Sequence, residues 1–150
     1  MELSIGEVAK LTNLSISKLR YYDEHGLIPF LKRTSSGIRK FDSASLDAIH
    51  MIECLKNSGM QLKEIKQFMD WCVEGNSTLT KRLAMFQQQE RNVLAQIETL
   101  QTSLYLIKFK QWYYEMAVKD KTDKFVKNMK YEDMPSEIRE LYDKSHKSKL

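Results

Sequence analysis

The chain has 150 residues and a formal net charge of +4, and 42% of its residues are apolar while 29% are charged. This length and composition suit a protein with its own hydrophobic core, so folding requires neither disulfides nor a structural metal. No apolar run approaches the about 20 residues of a membrane-spanning helix, and residues 1–7 lack the features of a secretory signal. We therefore expect a cytoplasmic protein with no membrane partner, in which Cys54 and Cys72 are free thiols.

Two short helices are predicted at the N-terminus of a mainly α-helical chain, because only five glycines and two prolines interrupt it. Ser4 and Glu7 have the spacing of a capping box, which predicts the start of the first helix. Ser15 is predicted to cap a second helix that ends near Glu24. Two helices joined by so short a connection are typical of a helix-turn-helix, here over about residues 4–24.

A small β-hairpin is predicted next. Gly37 permits a tight turn between two very short extended stretches, which gives a hairpin wing over about residues 30–41. Asp42 is predicted to cap a third helix, and a fourth helix follows after Gly59. These elements together predict a winged helix-turn-helix domain over residues 1–74.

The longest uninterrupted segment has the pattern of a coiled coil. Its apolar residues recur at alternating spacings of four and three, with Glu90 as the one polar member. The predicted seam consists of Leu79, Leu83, Phe86, Val93, Ile97, Leu100, Leu104 and Ile107. So narrow a stripe needs a partner helix, and a two-fold homodimer is more economical than a helix that folds back within the chain. We expect a dimerisation helix over residues 75–116 and a helical tail over residues 117–150, with a last short helix starting at Pro135 and Ser136.

Candidate DNA contacts concentrate on the second helix and the wing. They are Ser15, Ser17, Lys18, Arg20, Tyr21 and Tyr22 on the helix, and Lys32, Arg33, Arg39, Lys40 and Phe41 on the wing. Arginine and lysine neutralise phosphates, hydroxyl groups donate to phosphate oxygens, and the first turn of such a helix reaches base edges in the major groove. Taken singly, each charge is more often just a solvated surface group. The order of helix-turn-helix, basic wing and dimer seam favours a double-stranded DNA partner.

Five sequence strings resemble the MerR-type family of bacterial regulators. They are residues 5–9 (IGEVA), 19–29 (LRYYDEHGLIP), Arg33 with 37–41 (GIRKF), 55–60 (LKNSGM) and 62–65 (LKEI). The LRYYxxxGL string is highly specific to this family, and the resemblance covers nearly half of the chain. The sequence departs from the usual pattern at Lys18, Ile38, Phe41 and Gln61, where Thr, Tyr, Tyr and Ser are commoner.

This resemblance implies a homodimer that is joined by antiparallel long helices and bound to an inverted-repeat operator. Regulators of this type commonly bend and untwist a promoter whose elements are badly spaced, so that RNA polymerase engages it. We expect no cofactor and no enzymatic activity. A thiol enzyme would need an orienting partner behind His50 and an oxyanion site, and neither is evident in the sequence. The closest competing hypothesis is an accessory DNA-binding factor that does not remodel promoters.

Cys54 and His50 form the candidate sensor. They lie four residues apart on the third predicted helix and therefore share a face, where a nearby cation would favour the reactive thiolate. Residues 53–57 (ECLKN) and 111–115 (QWYYE) resemble the thiol-based, aldehyde-responsive branch of the family. The alternative is that Cys54 is a small packing residue.

A second candidate signal is a small hydrophobic or cationic ligand. Aromatic residues near the end of the long helix would form its pocket, namely Tyr105, Phe109, Trp112, Tyr113 and Tyr114. Packing of these rings against other parts of the protein is the alternative. Metal sensing is disfavoured, because Ser77 and Thr78 stand where metal-responsive members have cysteine and no metal-ligand motif is present.

Overall fold

The computed structural model describes residues 2–147 and divides the chain into two compact units, one ending at Val93 and one beginning at Leu94. The α-helices of the described part are α1 (Ile5–Thr12), α2 (Ile16–Glu24), α3 (Ser43–Asn57), α4 (Leu62–Glu74), α5 (Leu79–Asp120), α6 (Lys124–Asn128) and α7 (Ser136–His146). Strands β1 (Lys32–Arg33) and β2 (Arg39–Lys40) form the one sheet among these residues. The chain is thus mainly helical with a small hairpin, as predicted.

Side-chain caps define the first two helices. The Ser4 hydroxyl accepts from the Glu7 N–H, and the Glu7 carboxylate accepts in return from the Ser4 N–H at 2.7 Å, which confirms the predicted capping box. Asn13 adopts a left-handed conformation (φ 57°) that ends α1. The Ser15 hydroxyl then accepts from the Lys18 N–H at 3.1 Å and starts α2. The two helices of the helix-turn-helix therefore begin at local capping hydrogen bonds that the sequence predicts.

The wing is an antiparallel hairpin in which Lys32 pairs with Lys40 and Arg33 with Arg39. Gly37 has φ 80° in its turn, a conformation that favours glycine. Next to the hairpin, Leu3 and Phe41 exchange two backbone hydrogen bonds of 2.8 and 3.0 Å. This bridge ties the base of the wing to the start of the chain.

Helices α1–α4 and the wing enclose one hydrophobic core. Its most buried members are Val8, Leu19, Tyr22, Leu27, Phe41, Ile49, Ile52 and Ile65. In the second unit, Phe109, Val126 and Ile138 are buried. Within the described residues, no helix combines the length and the apolar character that crossing a membrane requires.

The long helix extends four residues beyond the predicted boundary at residue 116 and ends at Asp120. The last helix begins at Ser136, directly after Pro135, as expected from the sequence. The division into two compact units falls within α5. It does not test the predicted domain boundaries at residues 74 and 116, which remain predictions.

Candidate nucleic-acid interface

The exposed face of α2 carries several of the predicted DNA contacts. Leu19 is buried, whereas Arg20 and Tyr21 are exposed. The hydroxyls of Ser15 and Ser17 lie 3.0 Å apart at the solvent-exposed N-terminus of the helix. Unsatisfied N–H groups and the helix dipole make such a terminus favourable for a phosphate oxygen. This face therefore combines a guanidinium group, hydroxyls and a positive helix end.

Tyr22 lies beneath this face rather than on it. Its side chain is only 1% exposed, its hydroxyl donates to a Glu53 carboxylate oxygen, and it accepts from Lys56 Nζ at 3.0 Å. Burial and the bond to Glu53 raise the pKa of Tyr22 well above its usual value. The prediction that Tyr22 contacts DNA is wrong in this fold, because its ring belongs to the core and its hydroxyl joins α2 to α3.

Phe41 is likewise a core residue. It is 0% exposed, so the prediction that it contacts DNA from the end of the wing is also wrong. A benzyl side chain has no polar atom to keep at the surface, and burial of its ring stabilises the base of the hairpin. The Phe at this position thus anchors the wing from inside.

Lys18 faces α3 through an ion pair. Its Nζ lies 2.9 Å from Glu53 Oε2, and both side chains are partly exposed. Burial raises the pKa of Glu53, but the hydrogen bonds from Tyr22 and Lys18 outweigh it and leave this pKa lowered. Glu53 is therefore an anion at neutral pH that holds one predicted DNA contact in place.

One carboxylate binds both arginines of the wing. Asp23 Oδ2 accepts from Arg33 Nη2 and from Arg39 Nε, the latter at 2.6 Å. Glu24 Oε1 lies 3.7 Å from Arg39 Nη2 as a weaker partner. Since Asp23 and Glu24 belong to α2, these bonds join the wing to the exposed face of that helix. The two predicted contact regions form a single surface.

The two wing lysines differ in their partners. Lys32 Nζ lies 3.3 Å from Asp42 Oδ2. The pKa of Asp42 is lowered to about 2, first by the bonds from the Ser45 N–H and hydroxyl and then by Lys32. Lys40 and, on α2, Arg20 have no ion-pair partner in the described part of the chain. These two cations therefore have no bound acid that a phosphate would have to replace.

Four acidic residues shape this surface, and none of them was among the predicted site residues. They are Asp23, Glu24, Asp42 and Glu53. Asp23 and Glu24 directly follow the Tyr-Tyr pair of α2, so their position in a recognition helix was a usable signal. Glu53 lies more than 30 residues from Tyr22 in sequence and gives no such signal.

Similarity to known proteins identifies the family of this chain. The pattern of the MerR HTH family regulatory protein matches residues 3–71. An uncharacterised HTH-type transcriptional regulator of Haemophilus influenzae is 36% identical over 117 residues, which cover 78% of this chain and 87% of that protein. The chain belongs to the MerR family. It is thus related to transcriptional regulators.

Two further proteins are similar to this chain. The crystal structure of HiNmlR, a MerR family regulator lacking the sensor domain and bound to promoter DNA, matches with a TM-score of 0.77 at 35% identity. The match covers 83% of this chain and 98% of HiNmlR. The HTH-type transcriptional regulator AdhR of Bacillus subtilis is 32% identical over 92 residues, or 61% of this chain and 66% of AdhR.

The candidate sensor residues Cys54 and His50 are both exposed on α3. Cys54 directly follows Glu53, which binds α2. The other thiol, Cys72, is half-buried on α4, and Arg82 Nη1 lies 3.9 Å from its sulfur. Residues 2–147 contain no group of three or more His, Cys, Asp or Glu side chains arranged to hold a metal ion.

The five aromatic residues of the predicted ligand pocket make several separate contacts. Phe109 is buried, with its ring centroid 5.3 Å from that of Tyr142 on α7 and 6.0 Å from that of Trp112. The rings of Tyr113 and Tyr114 pack edge to face, with centroids 5.2 Å apart. Much of this cluster therefore packs within the second unit.

Tyr105 lines an open cavity. The cavity has a volume of about 400 Å³, and its wall includes Ile97, Thr102 and Lys144. Lys144 Nζ lies 5.3 Å above the Tyr105 ring. One face of this ring already contacts a cation, so a cationic ligand on that face would compete with Lys144.

The predicted dimer seam is open to solvent in the single chain. Its exposed members are Leu79, Leu83, Phe86, Ile97, Leu100, Leu104 and Ile107, and Val93 is half-buried. Phe86 also packs edge to face on Phe68 of α4, with ring centroids 5.2 Å apart. The rest of the stripe presents apolar side chains that another helix would cover.

Proposed function

We propose that this MerR-family chain binds an inverted-repeat operator as a homodimer and remodels promoter DNA. The observation that carries this proposal is the union of the wing and the exposed face of α2 through Asp23, which makes one basic surface. The resemblance to HiNmlR, which was crystallised on promoter DNA, supports the same interpretation. On this surface, Arg20 and Lys40 contact phosphates, while the first turn of α2 faces the base edges.

Dimerisation through α5 supplies the second copy of this surface. Two recognition helices that are related by a two-fold axis read half-sites about one helical turn apart, and this matches an inverted repeat. Phosphate contacts from both wings offset the cost of bending and untwisting the duplex between the half-sites. RNA polymerase then engages the reshaped promoter.

A promoter-spacing experiment tests this function. The purified chain would be added to in vitro transcription reactions on promoters that share one operator and differ only in spacer length. A remodelling regulator is expected to stimulate the promoter with an overlong spacer and to leave the optimally spaced one unchanged or repressed. Binding to the operator without any dependence on spacer length would instead identify an accessory DNA-binding factor.

The proposed signal is the reaction of Cys54 with an electrophile such as an aldehyde. Its thiol is exposed, and His50 lies one turn before it on α3. Modification at this position is adjacent to Glu53, whose bonds to Lys18 and Tyr22 hold α2. A change on α3 therefore has a short route to the DNA-binding surface.

A cysteine pair provides the matched test. In a reporter strain that carries the target promoter, Cys54→Ser is expected to abolish the response to aldehydes, and Cys72→Ser to preserve it. A full response from Cys54→Ser would eliminate this signal. The cavity beside Tyr105 then favours the alternative of a small hydrophobic or cationic ligand, which Tyr105→Ala would test by loss of ligand-induced thermal stabilisation.

A further inference from the structure

Asp23 occupies an unusual position for an acid on a DNA-binding surface. Its side chain is 10% exposed, and a single oxygen, Oδ2, accepts from both Arg33 and Arg39. These arginines are cross-strand partners in the hairpin, so Asp23 touches both strands of the wing at once. An isolated carboxylate here would only weaken the attraction of DNA. Its bonds indicate a positional role.

The bonds to Asp23 leave donors on both arginines available. Arg33 uses Nη2, and its Nε and Nη1 donate to no other group in the described part of the chain. Arg39 gives Nε to Asp23, while its terminal nitrogens approach only Glu24, at 3.7 Å. The side chains of Arg33 and Arg39 are 45% and 20% exposed. Each guanidinium is thus held by one edge, and other N–H groups remain for a phosphate.

We propose that Asp23 is a specificity-determining positioning residue for DNA recognition, and this inference rests on the DNA-binding function proposed above. It fixes the wing arginines relative to α2, so that they reach phosphates when α2 is seated on its own sequence. On other sequences the same bonds hold the arginines back, because an arginine that leaves Asp23 exposes a partly buried carboxylate without a partner. Asp23 thereby lowers affinity for non-specific DNA more than affinity for the operator.

Two substitutions separate charge from position. In Asp23→Asn the arginines lose their anion and become free to follow any phosphate backbone. We expect tighter binding to non-specific DNA, a salt dependence steeper by roughly one to two phosphate contacts, and an operator preference reduced roughly tenfold. In Asp23→Glu the charge remains, but the longer side chain displaces both arginines. Binding to non-specific DNA should stay unchanged while operator binding weakens severalfold.

The experiment measures fluorescence anisotropy with the full-length chain over a series of salt concentrations. The probes are a duplex that the wild-type protein selects from random-sequence DNA and a scrambled duplex of the same composition. Glu140→Gln is the matched control, because it also removes an acid and the ion pair with Lys144 but lies in the second unit. This variant should keep the wild-type preference and salt dependence. Thermal melts confirm that each variant folds.

The outcomes are distinguishable. Asp23→Asn could bind both duplexes more weakly by the same factor, with an unchanged salt slope. This result would show that Asp23 only stabilises the fold, and it would overturn the proposal. A change that matches Glu140→Gln would overturn it as a bulk charge effect. If Asp23→Asn does not fold, Asp23→Glu decides, and wild-type binding of that variant to the selected duplex contradicts the inference. A wild-type protein that prefers no duplex would instead refute the proposed DNA recognition itself.

Discussion

Helices α1–α4 and helix α5 differ in how far their apolar side chains are buried. In α1–α4, residues such as Val8 and Leu19 are fully buried, and the charged side chains form a surface in which many cations already have acidic partners. Along α5, apolar residues of the seam stand in solvent, and Leu100 is 69% exposed. The first region therefore completes its own core, whereas the second leaves a face uncovered.

This difference indicates two kinds of partner. A closed core with a basic surface is suited to a polyanion, which needs no change in the protein's hydrophobic packing. An uncovered stripe with the spacing of a coiled-coil seam is suited to a second copy of the same helix, because burial of apolar surface is favourable by about 25 cal/mol per Å². MerR regulators act as dimers. In such a dimer the apolar stripe joins the two chains, and the basic surfaces of both chains face the DNA.

The largest effect is expected from breaking the exposed stripe. Ile97→Asp places a charge in the middle of the seam, where dimerisation would bury it without a partner. The dimer and operator binding should both be lost, as measured by analytical ultracentrifugation and gel shift. Ala95→Asp adds the same charge to an exposed position outside the seam and should leave both intact. A dimeric Ile97→Asp protein would show that the seam is misplaced.

The closed core of the first region is tested at Phe41. Truncation to alanine in Phe41→Ala removes a fully buried ring and should lower the free energy of unfolding by about 3–5 kcal/mol. Chemical denaturation measures this loss. The neighbouring wing residue Ile38 is exposed, so Ile38→Ala should change stability little. Similar small losses of unfolding free energy in both variants would show that Phe41 is not part of the core.

A substitution of Arg20 tests the basic surface. This residue is exposed and has no ion-pair partner among residues 2–147. Removal of its charge in Arg20→Ala should weaken operator binding and reduce the salt slope by roughly 0.9, the value for one phosphate contact. Anisotropy titrations over several salt concentrations give this slope. Lys119→Ala, an exposed cation near the end of α5, serves as the control with an unaltered slope. A wild-type slope for Arg20→Ala would remove Arg20 from the contacts.

The smallest effect concerns the acid limb of stability. Because bonds from Tyr22 and Lys18 outweigh burial and lower the pKa of Glu53, its contribution is complete above about pH 4.5 and is lost as pH falls through the lowered value. In Glu53→Gln, the free energy of unfolding should therefore fall less steeply than in the wild type as pH drops below 4.5. The difference in stability between the two proteins should be smaller at low pH than at neutral pH. Denaturation midpoints over a pH series test this. An unaltered acid limb would show that Glu53 gains nothing from folding.

Local features of this fold were predictable from the sequence, because their causes lie within a few residues. The caps formed by Ser4, Ser15 and Asp42 and the turn at Gly37 all satisfy backbone groups or conformations of their immediate neighbours. The order of helix, wing and long helix follows from these signals and from the apolar spacing. The candidate surface could be located by the same means.

Contacts between distant elements could not be predicted in this way. Tyr22 has the residue type of a phosphate donor, but the packing of α2 on α3 turns it inward, where Glu53 receives its hydroxyl. Consecutive aromatic residues such as Trp112, Tyr113 and Tyr114 point in directions about 100° apart on a helix, so one wall of a pocket cannot contain all three. The spacing of these three residues was itself a warning against a shared pocket.

The mass of the protein–DNA complex is the most direct test of the account. The wild-type chain would be mixed with its selected duplex at low salt and measured by sedimentation or native mass spectrometry. Two chains on one duplex, with a matched loss of both protein–protein and protein–DNA association in Ile97→Asp, is the predicted result. A single chain on the duplex, or no association with double-stranded DNA at low salt, would contradict it.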